Sequence, residues 1–248
     1  MTEYKVESSS GRVALVTGGG RGLGRAIALS LAQGGCVVAV NYRGNAAAAA
    51  DTVAAIEQAG GRAAAFAADV SDAAQVRSLV ADVARTLGPV EVLVNNAGIA
   101  EQRDVFAATE EHWSRVLAAN LTSAFLVTQE VIGGMRERQW GRLIFLSSLA
   151  ARTGGIMSSA YAASKAGLEG LTHYYATQLL PYGITSNAIA PAAVESDMYS
   201  GAATRPTHQQ PMGRLGRPDE VGMVAHMLVA NGYMTGQTLH VNAGRYMT

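Results

Sequence analysis

The chain has one cysteine in 248 residues, Cys36, so no disulfide can form within it. That thiol falls in the apolar run CVVAV, where core packing is its default role and a reducing compartment suits it. Charge is scarce and balanced, 19 basic residues against 19 acidic, which excludes a nucleic-acid binder working through a basic face. A hydrophobic fraction of 49% with only six prolines excludes a disordered chain. The five histidines, His112, His173, His208, His226 and His240, have neither ligand spacing nor acidic companions, so no metal site is expected. No apolar run reaches membrane-spanning length without Gly, polar or charged interruption, and the opening MTEYKVESSSG lacks an apolar signal segment. The expectation is a cytoplasmic protein that binds neither membrane nor nucleic acid, with small molecules or proteins as partners.

What is present is a regular alternation. Seven short apolar runs, RVALVT, CVVAVN, AAAFAAD, VEVLVNN, GRLIFLSS, GITSNAIAP and TLHVNAG, read as strands. Helical stretches lie between them, near Gly22 to Gln33, Asn45 to Ala59, Asp72 to Thr86, Thr109 to Arg138, Ser158 to Leu180 and Pro218 to Val229. Repeated βα units with continuously apolar strands predict an α/β fold. It is a Rossmann-like, doubly wound, seven-stranded parallel sheet with helices on both faces. One domain over residues 1–248 follows, with 1–10 as a flexible tail. Ligands of such sheets bind outside the carboxyl ends of the strands, near the point where strand order reverses.

Two clusters fall at such ends. VALVTGGGRGLGRAIALSLA joins a strand to a helix through Gly18, Gly22 and Gly24, spaced GxxxGxG. Glycines there let the backbone turn tightly and approach a pyrophosphate at the helix N-terminus. In AYAASKAGLEG, Tyr161 and Lys165 stand four apart, on one helix face, with Ala162, Ala163 and Ala166 leaving room beside them. A phenol of pKa about 10 needs a neighbouring cation to act near neutrality, and Lys165 can be that cation. A half-buried helix with a packed tyrosine and a solvated lysine is the alternative.

Taken together these motifs resemble the short-chain dehydrogenase/reductase family, in its single-domain branch, from about Gly11 to Met247. The family's TGxxxGxG stands as Thr17 to Gly24 and includes Arg21 and Leu23; NNAG stands as Asn95 to Gly98, including Asn96 and Ala97. The resemblance implies that Asp69, followed by Val70, meets the adenine edge. It also implies a catalytic set of Asn120, Ser148, Tyr161 and Lys165. In it Tyr161 donates a proton to a substrate carbonyl, and Lys165 lowers the tyrosine's pKa and holds the nicotinamide ribose. Ser148 hydrogen-bonds the same oxygen, and Asn120 holds a water linking Lys165 to solvent. Adjacent residues of a strand point to opposite sides, so Ser147 is expected to be structural. Pro191, the backbone at Val194 and the Ser196 hydroxyl are implied to grip the nicotinamide carboxamide. Ala192 stands there where the family often has Gly, and Ser196 where Thr is usual.

Neutral Asn41 ends the second strand, and Arg21 and Arg43 can face the ribose, where a guanidinium suits a 2′-phosphate. The expected cofactor is therefore NADPH/NADP, with NADH/NAD the lesser choice. Resemblance is nearest to the 3-oxoacyl-(acyl carrier protein) reductases, which implies reduction of a ketone, a 3-oxoacyl thioester, to a secondary alcohol. Gln139 and Tyr182 occupy positions where that subfamily often presents basic residues to the carrier protein; Arg136, Arg138 and Arg142 lie nearby. Alternatives are an NAD-dependent dehydrogenase of a sugar, steroid or other secondary alcohol, and a non-catalytic NADPH-binding protein. Met198 to Pro211 is expected to cover the substrate, and apolar faces after Thr109 and Ser158 suggest a homotetramer.

Overall fold

The computed structural model describes residues 9–195 and 210–247. All seven expected strands form: β1 (Val13–Val16), β2 (Val37–Tyr42), β3 (Ala63–Ala67), β4 (Val90–Asn95), β5 (Gly141–Leu146), β6 (Ile184–Pro191) and β7 (Thr238–Val241). They make one parallel sheet in the order β3-β2-β1-β4-β5-β6-β7. Every residue of β1, β5 and β6 is buried, whereas the edge strands β3 and β7 are partly open. Central strands are covered by helices on both sides, and this is why they read as unbroken apolar runs.

The helices are α1 (Gly22–Gln33), α2 (Ala46–Gln58), α3 (Ala73–Thr86), α4 (Glu110–Leu117), α5 (Ser123–Arg138), α6 (Ala150–Thr153), α7 (Ser159–Leu179) and α8 (Pro218–Ala230). Asn45, Asp72, Thr109 and Ser158 lie just outside their helices and cap them, each accepting a bond from a first-turn N–H. One face of the sheet, including Leu15, Leu93 and Phe145, packs on Val83, Val127 and Leu168. The neighbouring residues Val16, Val94 and Ile144 point the other way, onto Ile27, Leu31 and Leu228. Each such fully buried side chain contributes roughly 1.5–3 kcal/mol.

Two features depart from the expected elements. The single helix foreseen from Thr109 to Arg138 is divided by a π turn at Ala118–Thr122, which belongs to neither α4 nor α5. Helix α6 was not foreseen, because four residues are too few to show a period. The run Glu110–Arg138 is long and apolar enough to cross a membrane. Its Val116, Val127, Val131 and Met135 are buried, and from α5 Val127, Val131 and Met135 join the core against the sheet, so that face of the run serves as a layer of the fold.

The reversal of strand order falls between β1 and β4. The carboxyl ends of all strands of this parallel sheet open at the same edge, and the candidate site residues among the described ones lie at the ends of β1 to β6, on the loops that leave them or on the helices that follow.

Candidate active site

Loops from β1 and β4 are tied together directly. Thr17 Oγ1 accepts the N–H groups of Asn96 and Ala97, both at 3.0 Å, and donates to the Val94 carbonyl at 3.2 Å. Asn96 Nδ2 returns bonds to the carbonyls of Thr17 (2.9 Å) and Gly18 (3.2 Å). Gly18 and Gly22 adopt φ of 62° and 53°, the left-handed region that favours glycine. At Gly24 the constraint is space: a Cβ would lie 2.2 Å from the Gly18 carbonyl oxygen. Helix α1 therefore starts hard against the turn. Among the described residues no side chain, that of the N-cap Arg21 included, caps the positive end of this helix and no acidic one stands in its first turn, and a dinucleotide's pyrophosphate fits that donor set.

Beyond the glycine turn, Asn41 is buried, and its amide faces inward. Its Oδ1 accepts from Gly18 N at 3.3 Å, and Nδ2 donates to the carbonyls of Ala68 (3.1 Å) and Phe66 (3.3 Å). Arg43, largely exposed, lies 3.6 Å from Asp69 Oδ2. The Ser71 hydroxyl, donating at 2.6 Å, and then the Ser71 N–H and Arg43 hold the Asp69 carboxyl below its ordinary pKa. Val70 beside it is buried.

At the other end of the site Lys165 is buried. Its Nζ donates to the Leu146 carbonyl at 2.6 Å and stands 5.7 Å from the centre of the Tyr161 ring. Burial lowers its pKa from 10.5 to about 8. Asn120 occupies the π turn: Oδ1 accepts from Ile99 N at 2.7 Å, and Nδ2 donates to Ile99 O and Ser164 Oγ, both at 3.0 Å. A Cβ on Gly98 would meet Asn120 Oδ1 at 2.9 Å, so the NNAG loop closes directly over this amide. Three hydrogen bonds commit the side chain of Asn120 to protein partners.

Ser147 and Ser148 diverge. The Ser147 hydroxyl is buried 3.1 Å from Lys165 O and 3.0 Å from Glu169 Oε1, while Ser148 is only half-buried; both residues border a cavity. Glu169, also buried, receives Arg152 at 2.7 Å, and the pair fastens α6 to α7. Sequence reasoning passed over Glu169, although a lone carboxylate one turn beyond Lys165 in an apolar helix was a usable signal.

The cavity measures about 330 Å³. Among the expected residues it brings together Leu23, Ser148, Tyr161, Pro191 and Val194. Gln210, from the end of the expected cover, also lines it, and so do Thr153, Met157 and Arg245, which were not anticipated. Ala192 keeps a negative φ, so replacing Gly there strains nothing. Ser196 and nearly all of the expected cover, Met198 to Pro211, lie outside the described residues. On the rim, Arg142 is buried and bonded to the Val229, Gly141 and Gly183 carbonyls, which removes it from any contact with a carrier protein. Arg138 reaches Val90 O, and Arg136 lies 5.0 Å over the Tyr182 ring.

The family described as short chain dehydrogenase matches residues 12–206. A nodulation protein G from Azospirillum brasilense is 41% identical over 95% of this chain and 98% of its own. A 3-oxoacyl-(acyl carrier protein) reductase from Staphylococcus aureus is 38% identical over 94% and 98%. A solved 3-oxoacyl-(acyl carrier protein) reductase with bound NAD, from Brucella melitensis, superposes with a TM-score of 0.88. It shares 33% identity over 100% of this chain and 98% of that one. Bound NAD in so similar a fold overturns the expectation that NADP is favoured and NAD the lesser cofactor. The local reason is that Asn41 turns its amide into the protein and Arg43 leans on Asp69, so the charge argument built on them fails.

Proposed function

Because this chain belongs to the short chain dehydrogenase family, it is an oxidoreductase acting on CH–OH groups with NAD(P), and we propose that its substrate is a ketone, specifically a 3-oxoacyl thioester, reduced to the secondary alcohol. A nicotinamide dinucleotide supplies the hydride when bound. Thr17, Gly18, Arg21, Gly22, Leu23 and Gly24 receive its pyrophosphate, Asp69 and Val70 the adenine end, and Asn96, Ala97 and Gly98 the floor beneath the ribose. Pro191, Val194 and Ser196 hold the carboxamide. Tyr161 passes its phenolic proton to the carbonyl oxygen, and Ser148 donates a hydrogen bond to that oxygen. Lys165 makes the phenolate easier to form by placing an ammonium beside it. The Asn120 main chain holds the water through which Tyr161 regains its proton.

The observation that carries the proposal is a buried ammonium 5.7 Å from a tyrosine ring that lines a cavity of substrate size. The name of the S. aureus relative supports the thioester. A carrier protein would meet Arg136 and Arg138 but not Arg142. Exposed Trp113, Phe125 and Tyr174, on α4, α5 and α7, support a homotetramer, whose mass light scattering reads. The test of function is the initial rate with a small acetoacetyl thioester, NADH and NADPH run in parallel, for wild-type and Tyr161→Phe. Turnover that falls about 100-fold or more in the variant, with dinucleotide affinity nearly unchanged, is expected. No turnover by wild-type removes the thioester, and an equally active variant removes Tyr161 from the proton path.

A further inference from the structure

Arg245 is the one charged side chain among the described residues lining the cavity onto which Tyr161 and Ser148 open. It arrives there from the turn after β7, and that turn is held in place. Asn242, buried, donates from Nδ2 to Tyr246 O at 2.8 Å and accepts from Gly244 N at 2.9 Å. Between them Ala243 takes a φ of 53°, a left-handed conformation that costs an alanine energy and persists only where its surroundings impose it. Arg245 is half-buried, and its one side-chain hydrogen bond among the described residues goes to the neutral Oε1 of buried Gln210, at 3.1 Å from Nη1.

No carboxylate among the described residues pairs with Arg245. A smaller adjoining cavity of about 160 Å³, which it also lines, contains Glu220, but Arg214 grips that carboxylate at 2.7 and 2.9 Å and Arg217 N at 2.7 Å. A guanidinium has five N–H donors in a planar fork, and one is used here. Partial burial without a counterion is unfavourable and is relieved by an anion that the fork can chelate.

We propose that Arg245 recognises an ionised carboxylate on the substrate, so that the site takes short oxo acids, and the matching hydroxy acids in reverse, in preference to neutral ketones. The inference rests on the reading that Tyr161 and Ser148 act on a carbonyl in this cavity. It keeps that carbonyl chemistry but puts a free carboxylate where the preceding reading has a thioester, so oxo acid and 3-oxoacyl thioester are alternative substrates that relative kcat/KM separates. The carboxylate undergoes no chemistry; it fixes the end of the molecule remote from the reacting carbonyl.

The test compares acetoacetate, levulinate and 5-oxohexanoate with their ethyl esters, using wild-type, Arg245→Met and Arg245→Lys. For the best-fitting acid, wild-type kcat/KM exceeds that for its ester by about 10-fold or more. Arg245→Met loses roughly 10- to 100-fold on the acid, mainly through KM, and less than about 3-fold on the ester; Arg245→Lys recovers part of the loss. Calorimetric titration of the same acids into the protein holding oxidised dinucleotide reads binding without turnover, and the Met variant binds more weakly. Acid and ester handled alike by wild-type, equal losses on both in Arg245→Met, or no acid binding would overturn the proposal. Acid binding that depends on Arg245 without turnover of any ketone would uphold the carboxylate site and remove the carbonyl-reduction reading instead.

Discussion

Replacing Lys165 with methionine separates what the buried ammonium does for chemistry from what it costs the fold. Burial lowers the pKa of Lys165 from 10.5 to about 8, and among the described residues its one hydrogen bond goes to Leu146 O. At 1.36 kcal/mol for each tenfold in proton affinity, that is a penalty of about 3 kcal/mol for carrying the charge inside. The penalty is in full force below pH 8, where folded and unfolded chains both hold the proton. It is absent above pH 10.5, where both have lost it. Between those values the unfolded chain binds more protons than the folded one, so stability rises with pH. Lys165→Met carries no such titration. The difference in unfolding free energy, wild-type minus variant, should therefore grow by about 2–3 kcal/mol from pH 7 to pH 10. Urea unfolding of the dinucleotide-free proteins, followed by Trp fluorescence at several pH values, measures it. A difference that stays constant across that range would refute the burial argument, and with it the physical basis for Lys165 as the group that tunes Tyr161.

Gly24→Ala places a methyl 2.2 Å from the Gly18 carbonyl, and backbone must move to admit it. The variant should lose about 1–3 kcal/mol of stability and most of its dinucleotide affinity, read by thermal unfolding and by fluorescence titration. Glu169→Gln keeps the shape but discharges the buried partner of Arg152 and Ser147. A loss of about 1–3 kcal/mol in urea is expected, with a rise in KM larger than any fall in kcat, because α6 walls the cavity and does not touch the reacting atoms. Unchanged stability would mean that α6 is fastened by packing alone.

The strands were legible because burial on both faces leaves an unbroken apolar signature, and helix starts were legible at Asn45, Asp72, Thr109 and Ser158 because a cap is a local device. The glycine turn and the shared helix face of Tyr161 and Lys165 were legible for the same reason, since both geometries are set within a few residues. Asn41 was misread. An amide at a strand end faces solvent or core according to what surrounds it, and here the partners are Gly18, Phe66 and Ala68 from other segments. The π turn around Asn120 arises from contacts with Ile99 and Ser164 that no period in the helix announces. Arg245 joins the cavity from the turn after β7, far from Tyr161 in sequence, so its role is invisible until the sheet is assembled.

The lock between Thr17 and Asn96 spans 79 residues of chain. Closing a segment of that length costs on the order of 4 kcal/mol in chain entropy, beyond a constant, before any contact across it is made. The pyrophosphate cradle, though its glycines all lie in one short stretch, is thus a product of long-range assembly. A growing chain that has not yet delivered β4 holds the turn but lacks its support, and nucleotide binding reports completion of the central sheet.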